Sequence, residues 1–158
     1  MNYVQEQAVN WSDSRREEIL SLQGALVDGI ADGDLEEYKG EVKHYFAPGL
    51  YSREIFMKAG AKIVGKIHKH AHMNTISMGG VMVFTEHGEE PEMFFAPCSF
   101  VSTPGTKRVV MALEDTIWTT YHPTEETDLE KIEEHVIAES YEELETFLCY
   151  EKKKELES

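Results

Sequence analysis

Residues 42–122 form a succession of short runs rich in β-branched and aromatic residues, and each run is ended by turn-forming residues. Runs of this length and composition are typical of β-strands, and Pro48-Gly49, Gly79-Gly80 and Pro104-Gly105 are typical of turns. The predicted strands are Tyr51–Lys58, Lys62–Ser77, Val81–Glu86, Met93–Phe95, Phe100–Ser102, Arg108–Ala112 and Thr116–His122. Many short strands at near-regular spacing predict an all-β sandwich or barrel.

Helical patterns flank the strand region on both sides. In residues 1–40, apolar residues recur at helical spacing over Ile19–Ile30, which predicts a helix that packs on the body or on a second subunit. In residues 124–155, capping boxes that begin at Thr127 and Ser140 predict two further helices. No internal repeat or linker separates these regions, so all 158 residues are predicted to form one domain.

The most informative segment is Gly65–Asn74, which is rich in histidine. Side chains alternate between the two faces of a strand, so His68, His70 and His72 are predicted to share one face with Asn74. Neutral imidazole is the commonest metal ligand, and converging imidazoles suit a divalent first-row metal. Same-face neighbours lie roughly 6.5–7 Å apart, so three rings reach one ion only with a bend or a remote ligand. The alternative is a polar strand face with surface histidines.

Other residues are candidates to join this cluster. His122 ends the last predicted strand, where it either supplies a ligand from a second strand or is simply exposed. Arg108 either binds a carboxylate or phosphate through its planar guanidinium or forms a surface ion pair. Glu54 is either a carboxylate ligand or base, or a solvated charge. We interpret Tyr51 as a core or interface aromatic and His44 as a surface residue.

The histidine segment resembles the first motif of the cupin superfamily, a group of small β-barrels. His68-Lys69-His70 takes the place of the motif's histidine pair, Asn74 takes the place of its glutamate, and Gly80 is the closing glycine. Counted from Gly79 instead, His72 takes the glutamate position. In both alignments a neutral side chain replaces the acidic ligand of the family.

A second segment, Thr103-Pro104-Gly105, resembles the centre of the second cupin motif. Arg108 then stands at the histidine position and Ala112 at the asparagine position, so a cation replaces the second-motif ligand. The resemblance covers about residues 50–122. With the ending Thr116–Pro123, the chain looks most like uncharacterised cupin-like proteins of tailed bacteriophages.

The resemblance implies a cupin-type jelly-roll barrel with one N-terminal helix and two C-terminal helices. It also implies a divalent metal, such as zinc, iron, manganese or nickel, and a homodimer. The candidate metal ligands are His68, His70, His72 and His122. Arg108 and Asn74 are candidate substrate-binding residues, and no catalytic residue is assigned. Members of the superfamily include dioxygenases, isomerases and lyases, whereas others only bind sugars or store nutrients.

The charge balance excludes several partner classes. The chain has 15 basic and 30 acidic residues, for a net charge of -15, which repels nucleic-acid backbones and anionic membranes. No apolar run approaches the ~20 residues that span a bilayer, and no signal-peptide core is present. We therefore expect a cytoplasmic protein, in the host cytoplasm if it is phage-encoded, with its two cysteines reduced.

Two functional classes follow from these observations. One is a metal-dependent enzyme that acts on a small polar or anionic molecule. The other is a non-catalytic protein that binds or sequesters a ligand or has a structural role in a phage. The clustered histidines favour the first class, and the loss of both motif ligands favours the second. The expected partner in either case is a small molecule.

Overall fold

The computed structural model describes residues 13–85 and 90–157 and consists mainly of antiparallel β-strands with three helices. The elements in chain order are α1 (Asp13–Ala31), β1 (Glu41–Ala47), β2 (Leu50–Met57), β3 (Lys62–Val64), β4 (Ile67–His68), β5 (His72–Met78), β6 (Gly80–Thr85), β7 (Glu92–Phe95), β8 (Cys98–Ser102), β9 (Arg108–Ala112), β10 (Thr116–Pro123), α2 (Leu129–Val136), β11 (Ile137–Ala138) and α3 (Tyr141–Glu157). The last residue of the predicted strand Val81–Glu86 lies outside the described residues.

Two sheets form the barrel. The first contains five strands in the order β1-β2-β10-β5-β8, and the second contains four in the order β3-β9-β6-β7. The main core lies between them and is formed by Met57, Ile76, Val81, Val83, Val110, Ala112 and Trp118. This arrangement confirms the predicted mainly β barrel with one helix before it and two helices after it.

The prediction of a single strand over Lys62–Ser77 is wrong. The segment forms three strands, and each has a different partner: β3 pairs with β9, β4 pairs with β11, and β5 pairs with both β10 and β8. Residues 69 and 70 form a bend between β4 and β5. The bend matters for function because it ends the side-chain alternation on which the histidine prediction rested.

Strand β1 is not among the predicted strands. It is the edge strand of the five-stranded sheet, and six of its seven residues are exposed. An edge strand without a buried face carries no alternation of apolar and polar residues, which is the signal that sequence analysis uses. Its pairing with β2 nevertheless brings His44 opposite Arg53 and Tyr45 opposite Ser52.

The two C-terminal helices cover one end of the barrel. Ile132 and Val136 of α2 pack against Tyr51, and Leu144 of α3 packs against Ile67. The first of these helices begins one residue later than predicted, because Asp128 is the N-cap and its carboxylate accepts hydrogen bonds from the next turn.

The N-terminal helix α1 contacts α3 through Arg16. The Arg16 guanidinium lies 4.0 Å from the ring centre of Tyr141 and forms an ion pair with Glu145 at 3.1 Å. The apolar side chains of Leu20 and Val27 remain exposed, so only part of the predicted apolar stripe packs on the body. No helix in the described part of the chain is both long and apolar enough to cross a membrane.

The outer face of the five-stranded sheet carries an apolar stripe. The strand register places Tyr45, Tyr121, Met73 and Val101 in one row across the sheet, interrupted only by Ser52. Tyr45, Met73 and Val101 are exposed. Such a row leaves the sheet with an uncharged strip on the surface of a strongly acidic chain.

Candidate functional site

A cavity of about 600 Å³ lies inside the barrel, between the main core and helix α2. Its floor is the top of the main core, formed by Ile55, Met57, Ile63, Val110 and Trp118. The opposite side is lined by Leu129, Ile132, Val136 and Ile137. Exposed residues of the lining, which include His44, Arg53 and Leu129, show that the cavity opens to solvent.

Three histidines from three strands meet in this cavity. His68 ends β4, His72 begins β5, and His122 lies near the end of β10. The ring centres of His68 and His72 are 4.2 Å apart, and that of His122 lies 5.6 Å from His68 and 5.1 Å from His72. We call these three residues the histidine triad. The structure therefore brings together three of the four residues that sequence analysis considered as metal ligands.

Hydrogen bonding leaves ring nitrogens of the triad without partners. His72 Nδ1 lies 3.2 Å from the carbonyl oxygen of His70, an arrangement in which Nδ1 carries the proton and Nε2 keeps its lone pair. Nε2 of His72 and Nδ1 of His68 are buried and have no hydrogen-bond partner within the described structure. A buried ring nitrogen with no partner is one that a ligand or a metal can satisfy.

The triad is held in its neutral form. Burial is the main cause, and it lowers the pKa of His68 well below 6.5 and the pKa of His72 and of His122 to about 4. The neighbouring histidines add to the lowering of each pKa, followed by Arg108 for His68 and His72 and by Arg53 for His122. At neutral pH the cavity therefore presents three uncharged imidazoles.

The ring nitrogens of the triad are chemically suitable metal ligands, but their present positions do not suit an ion. Three neutral imidazoles, of which His68 and His72 have an unpartnered ring nitrogen, are suitable ligands for a divalent first-row metal. However, residues 13–85 and 90–157 contain no group of three or more His, Cys, Asp or Glu side chains placed to hold an ion. The rings of His68 and His122 are within 8° of parallel, so their nitrogens do not converge on one point. Binding an ion requires the rings to turn.

The fourth candidate, His70, lies away from the cavity. Its ring packs on His135 of α2, with 4.8 Å between ring centres, and meets Phe147 of α3 edge-on at 5.2 Å. The bend between β4 and β5 turns His70 toward the C-terminal helices, whereas the strand pattern predicted the same face as His68 and His72. Burial against these helices lowers the pKa of His70.

Asn74, which stands at the glutamate position of the cupin motif, is the centre of a hydrogen-bond network. Its amide nitrogen donates to Ser102 Oγ at 2.6 Å and to the carbonyl of His72 at 3.3 Å, and its oxygen accepts from Trp118 Nε1 at 3.0 Å. Arg108 also donates to Ser102 Oγ. Asn74 lines the cavity and is fully buried, and its amide is hydrogen-bonded within the protein and linked to Trp118 and, through Ser102, to Arg108.

The cavity lining carries positive charge although the chain is acidic. Arg53, Lys66 and Arg108 line it, and Glu133 is the one acidic side chain among the described lining residues. Glu133 forms an ion pair with Lys66. Glu54, the carboxylate that sequence analysis considered, alternates with Arg53 on β2 and is not part of the lining.

Sequence analysis missed a pair of residues beside the triad. Tyr51 lines the cavity, and its hydroxyl lies 2.8 Å from Nδ1 of His44. The ring of Tyr51 also stacks on His122, with 6.0 Å between centres, and burial raises its pKa. Because His44 lies on the unpredicted strand β1, no sequence signal linked it to Tyr51.

Comparisons with known proteins concern the fold. No protein-family model matches the chain, and no curated protein is similar to it in sequence. Among solved structures, ectoine synthase from P. lautus has a TM-score of 0.51 at 12% identity, and the match covers 63% of this chain and 75% of the synthase. KdgF from Halomonas sp. has a TM-score of 0.46 at 20% identity, covering 56% of this chain and 83% of KdgF.

A third similar structure is an RmlC-like cupin family protein with a double-stranded β-helix fold from Methanocaldococcus jannaschii. Its TM-score is 0.47 at 11% identity, and the match covers 58% of this chain and 90% of that protein. Identities this low concern the fold and not the activity. The two antiparallel sheets and their flanking helices confirm the predicted cupin-type jelly-roll barrel, and the match to ectoine synthase concerns this fold alone.

Proposed function

We propose that this protein binds a small polar or anionic molecule in its barrel cavity, next to the histidine triad. The observation that carries the proposal is that His68, His72, His122 and Arg108 all line one cavity that opens to solvent. A volume of about 600 Å³ is within the usual range of roughly 300–1,000 Å³ for small-molecule sites. Side chains from four different strands converge there, which is typical of a binding site and not of a surface patch.

The first candidate function is that of a metal-dependent enzyme in which the triad holds a divalent ion. When bound, such an ion would supply Lewis acidity toward an oxygen of the ligand. Arg108 would orient an anionic group of the ligand next to that ion. The buried side chains of Ile132 and Val136 on helix α2 would make that side of the cavity apolar.

The second candidate is a non-catalytic binding protein, which includes a ligand-sequestering or structural protein of a phage acting in the host cytoplasm. The hydrogen bonding of Asn74 favours this second candidate. Where the cupin motif has an acidic ligand, this chain has an amide that is hydrogen-bonded to Ser102 and Trp118. Within the described lining, the acid Glu133 is paired with Lys66, which leaves no obvious general base of carboxylate type.

Elemental analysis of protein purified without a polyhistidine tag tests the metal. The wild type is compared with the double variant His68→Ala/His72→Ala and with His135→Ala, which removes an exposed histidine. We expect stoichiometric metal in the wild type and in the His135 variant and little in the double variant. Equal, near-zero metal in all three would end the metal-dependent candidate. A thermal-shift screen of small acids and neutral compounds tests the binding itself, and the absence of any stabilising compound would contradict it.

A further inference from the structure

We infer that the cavity binds a molecule that combines a hydroxyl group with an apolar body, as a substituted phenol does. The hydroxyl donates a hydrogen bond to Nε2 of His72. This inference rests on the proposed binding function and deepens its second, non-catalytic candidate, in which no metal occupies the triad. It follows from the tautomer of His72, the hydrogen bonds of the other lining side chains and the apolar walls of the cavity.

His72 presents a hydrogen-bond acceptor at the cavity. Its Nδ1 lies 3.2 Å from the carbonyl oxygen of His70, and a carbonyl can only accept, so Nδ1 carries the proton of the neutral ring. Nε2 then has a lone pair, and it is buried without a hydrogen-bond partner in the described structure. A second proton on Nε2 would place an unpaired charge in this buried position, beside the rings of His68 and His122. The described part of the chain supplies no donor to Nε2, so a ligand has to supply one.

The hydroxyl, amide and indole groups of the described lining already have partners within the protein. The hydroxyl of Tyr51 is hydrogen-bonded to Nδ1 of His44 at 2.8 Å. The other groups donate internally: Trp118 Nε1 to Asn74, the Asn74 amide to Ser102 and to the carbonyl of His72, Thr106 to the carbonyl of Thr103, and Thr120 to the carbonyl of Arg53. A ligand that can only accept hydrogen bonds gains nothing from these groups, whereas a ligand hydroxyl finds Nε2 of His72 free to accept.

The walls of the cavity select an apolar body for this hydroxyl. The floor is apolar, and Ile132 and Val136 of α2 add two buried apolar side chains on the opposite side. Water filling a cavity of about 600 Å³ would leave this surface wet, whereas an apolar body removes it from water. A polyol would also donate to His72, but its remaining hydroxyls would lose their hydrogen bonds to water against the walls. The ligand therefore carries few hydroxyl groups.

The acceptor and the floor are connected through one strand. His72 and Asn74 lie two positions apart on β5, so their side chains share a face, and both line the cavity. The side-chain oxygen of Asn74 accepts from Nε1 of Trp118, which belongs to the floor. A ligand whose hydroxyl reaches His72 therefore has apolar surface within reach of its body.

Isothermal titration calorimetry of the full chain tests the inference with three probes. They are 4-ethylphenol, its methyl ether 4-ethylanisole, which lacks the donor, and glycerol, which has donors without an apolar body. We expect 4-ethylphenol to bind about tenfold more tightly than the ether, because the ether cannot satisfy Nε2 of His72. Glycerol should show no measurable binding.

Three variants test the role of His72. His72→Phe keeps a ring but removes the acceptor, so it should weaken 4-ethylphenol about tenfold and leave the ether unchanged. His72→Gln offers an amide oxygen as acceptor and should give an intermediate affinity for the phenol. His135→Phe, the same substitution at an exposed histidine outside the lining, is the matched control and should bind both probes as the wild type does.

A measurement on the wild type does not depend on whether the variants fold. Nitrogen-15 NMR of the histidine side chains reports hydrogen bonding at each ring nitrogen. The Nε2 resonance of His72 should move when 4-ethylphenol is added and stay in place when the ether is added. The calorimetry is also repeated on protein treated with EDTA, and the affinity for 4-ethylphenol should not change, because the hydroxyl binds the ring nitrogen directly.

The outcomes separate this inference from the proposed function. Equal affinities for the phenol and the ether, or an unmoved Nε2 resonance, would overturn the hydrogen bond to His72, while the cavity would remain a binding site. Binding of glycerol as tight as that of the phenol would overturn the apolar body. Loss of phenol binding after EDTA treatment would show that a metal holds the hydroxyl and would overturn the inference. If the probes fail but the thermal-shift screen finds another compound, the inference falls and the binding function stands. If nothing binds at all, both fall.

Discussion

Lowering the pH from 7 to 5 is expected to destabilise the folded chain through two buried histidines, His72 and His122. Burial, aided by nearby positive groups, holds the pKa of each at about 4, whereas the unfolded chain has the ordinary value near 6.5. The unfolded chain binds these protons at a higher pH than the folded chain does. The stability that the two neutral histidines contribute is therefore fully present above pH 6.5. The contribution is lost as the pH falls toward 4.

The magnitude follows from these values. The difference between 6.5 and about 4 corresponds to roughly 3 kcal/mol for each ring once the loss is complete. At pH 5 the loss is about 2 kcal/mol for each ring, or about 4 kcal/mol for both together. Since domains are commonly stable by ~5–15 kcal/mol, this loss is a large part of the free energy of unfolding.

Urea denaturation followed by circular dichroism at pH 7 and at pH 5 measures the effect. The wild type is compared with the double variant His72→Asn/His122→Asn, which does not titrate at these positions, and with His135→Asn as the control for an exposed histidine. Other acids and histidines titrate in all three proteins, so the quantity that matters is the difference between their pH-dependent losses. We expect the wild type and the control to lose about 4 kcal/mol more than the double variant. Equal losses would show that the triad is not held neutral by burial.

Two further predictions concern the network and the surface. Asn74→Asp should lower the free energy of unfolding by about 3 kcal/mol at pH 7, because the new carboxylate is buried, cannot donate to Ser102 and faces the carbonyl of His72. This loss of stability should be smaller at lower pH, where the carboxylate becomes protonated. Chemical denaturation that gives wild-type stability for the variant would contradict the assigned network. The apolar stripe on the outer face of the five-stranded sheet should be covered by a second copy of the chain in a homodimer. Light scattering should therefore give the mass of a dimer for the wild type and of a monomer for Met73→Glu/Val101→Glu. A monomeric wild type would refute this role of the stripe.

Sequence patterns predicted a strand correctly where it keeps the same neighbouring strands along its whole length and has a buried face. Arg108–Ala112 matches β9 at both ends, and Thr116–His122 matches β10 to within one residue. The same patterns failed over Lys62–Ser77, because local composition does not reveal that successive parts of the segment pair with different strands. They also failed for β1, whose side chains are nearly all exposed. What a strand pairs with is a property of the whole chain.

The candidate site was predictable in part for the same reason. The alternation pattern singled out His68 and His72, and the position of His122 at the end of the last predicted strand made it a further candidate. These three residues do line one cavity. The pattern also placed His70 with them, because the residue types around His70 do not predict the bend that turns its side chain toward the C-terminal helices. The role of His44 beside Tyr51 depends on an edge strand and had no sequence signal.

The replacement of an acid by Asn74 connects the two proposals for this cavity. In a cupin site with the motif glutamate, that carboxylate offsets charge of the bound ion, whereas here the corresponding amide is neutral and hydrogen-bonded within the protein. An ion at the triad would lie near Arg108 and Arg53, both of which already disfavour positive charge on these rings. An anionic ligand in the cavity would supply the missing negative charge. Metal and a small anion should therefore bind with positive coupling, and by linkage each must raise the affinity of the other by the same factor. Titrating zinc with and without propanoate, and propanoate with and without zinc, measures both factors, and independent binding would show that the ion and the anion do not meet in the cavity.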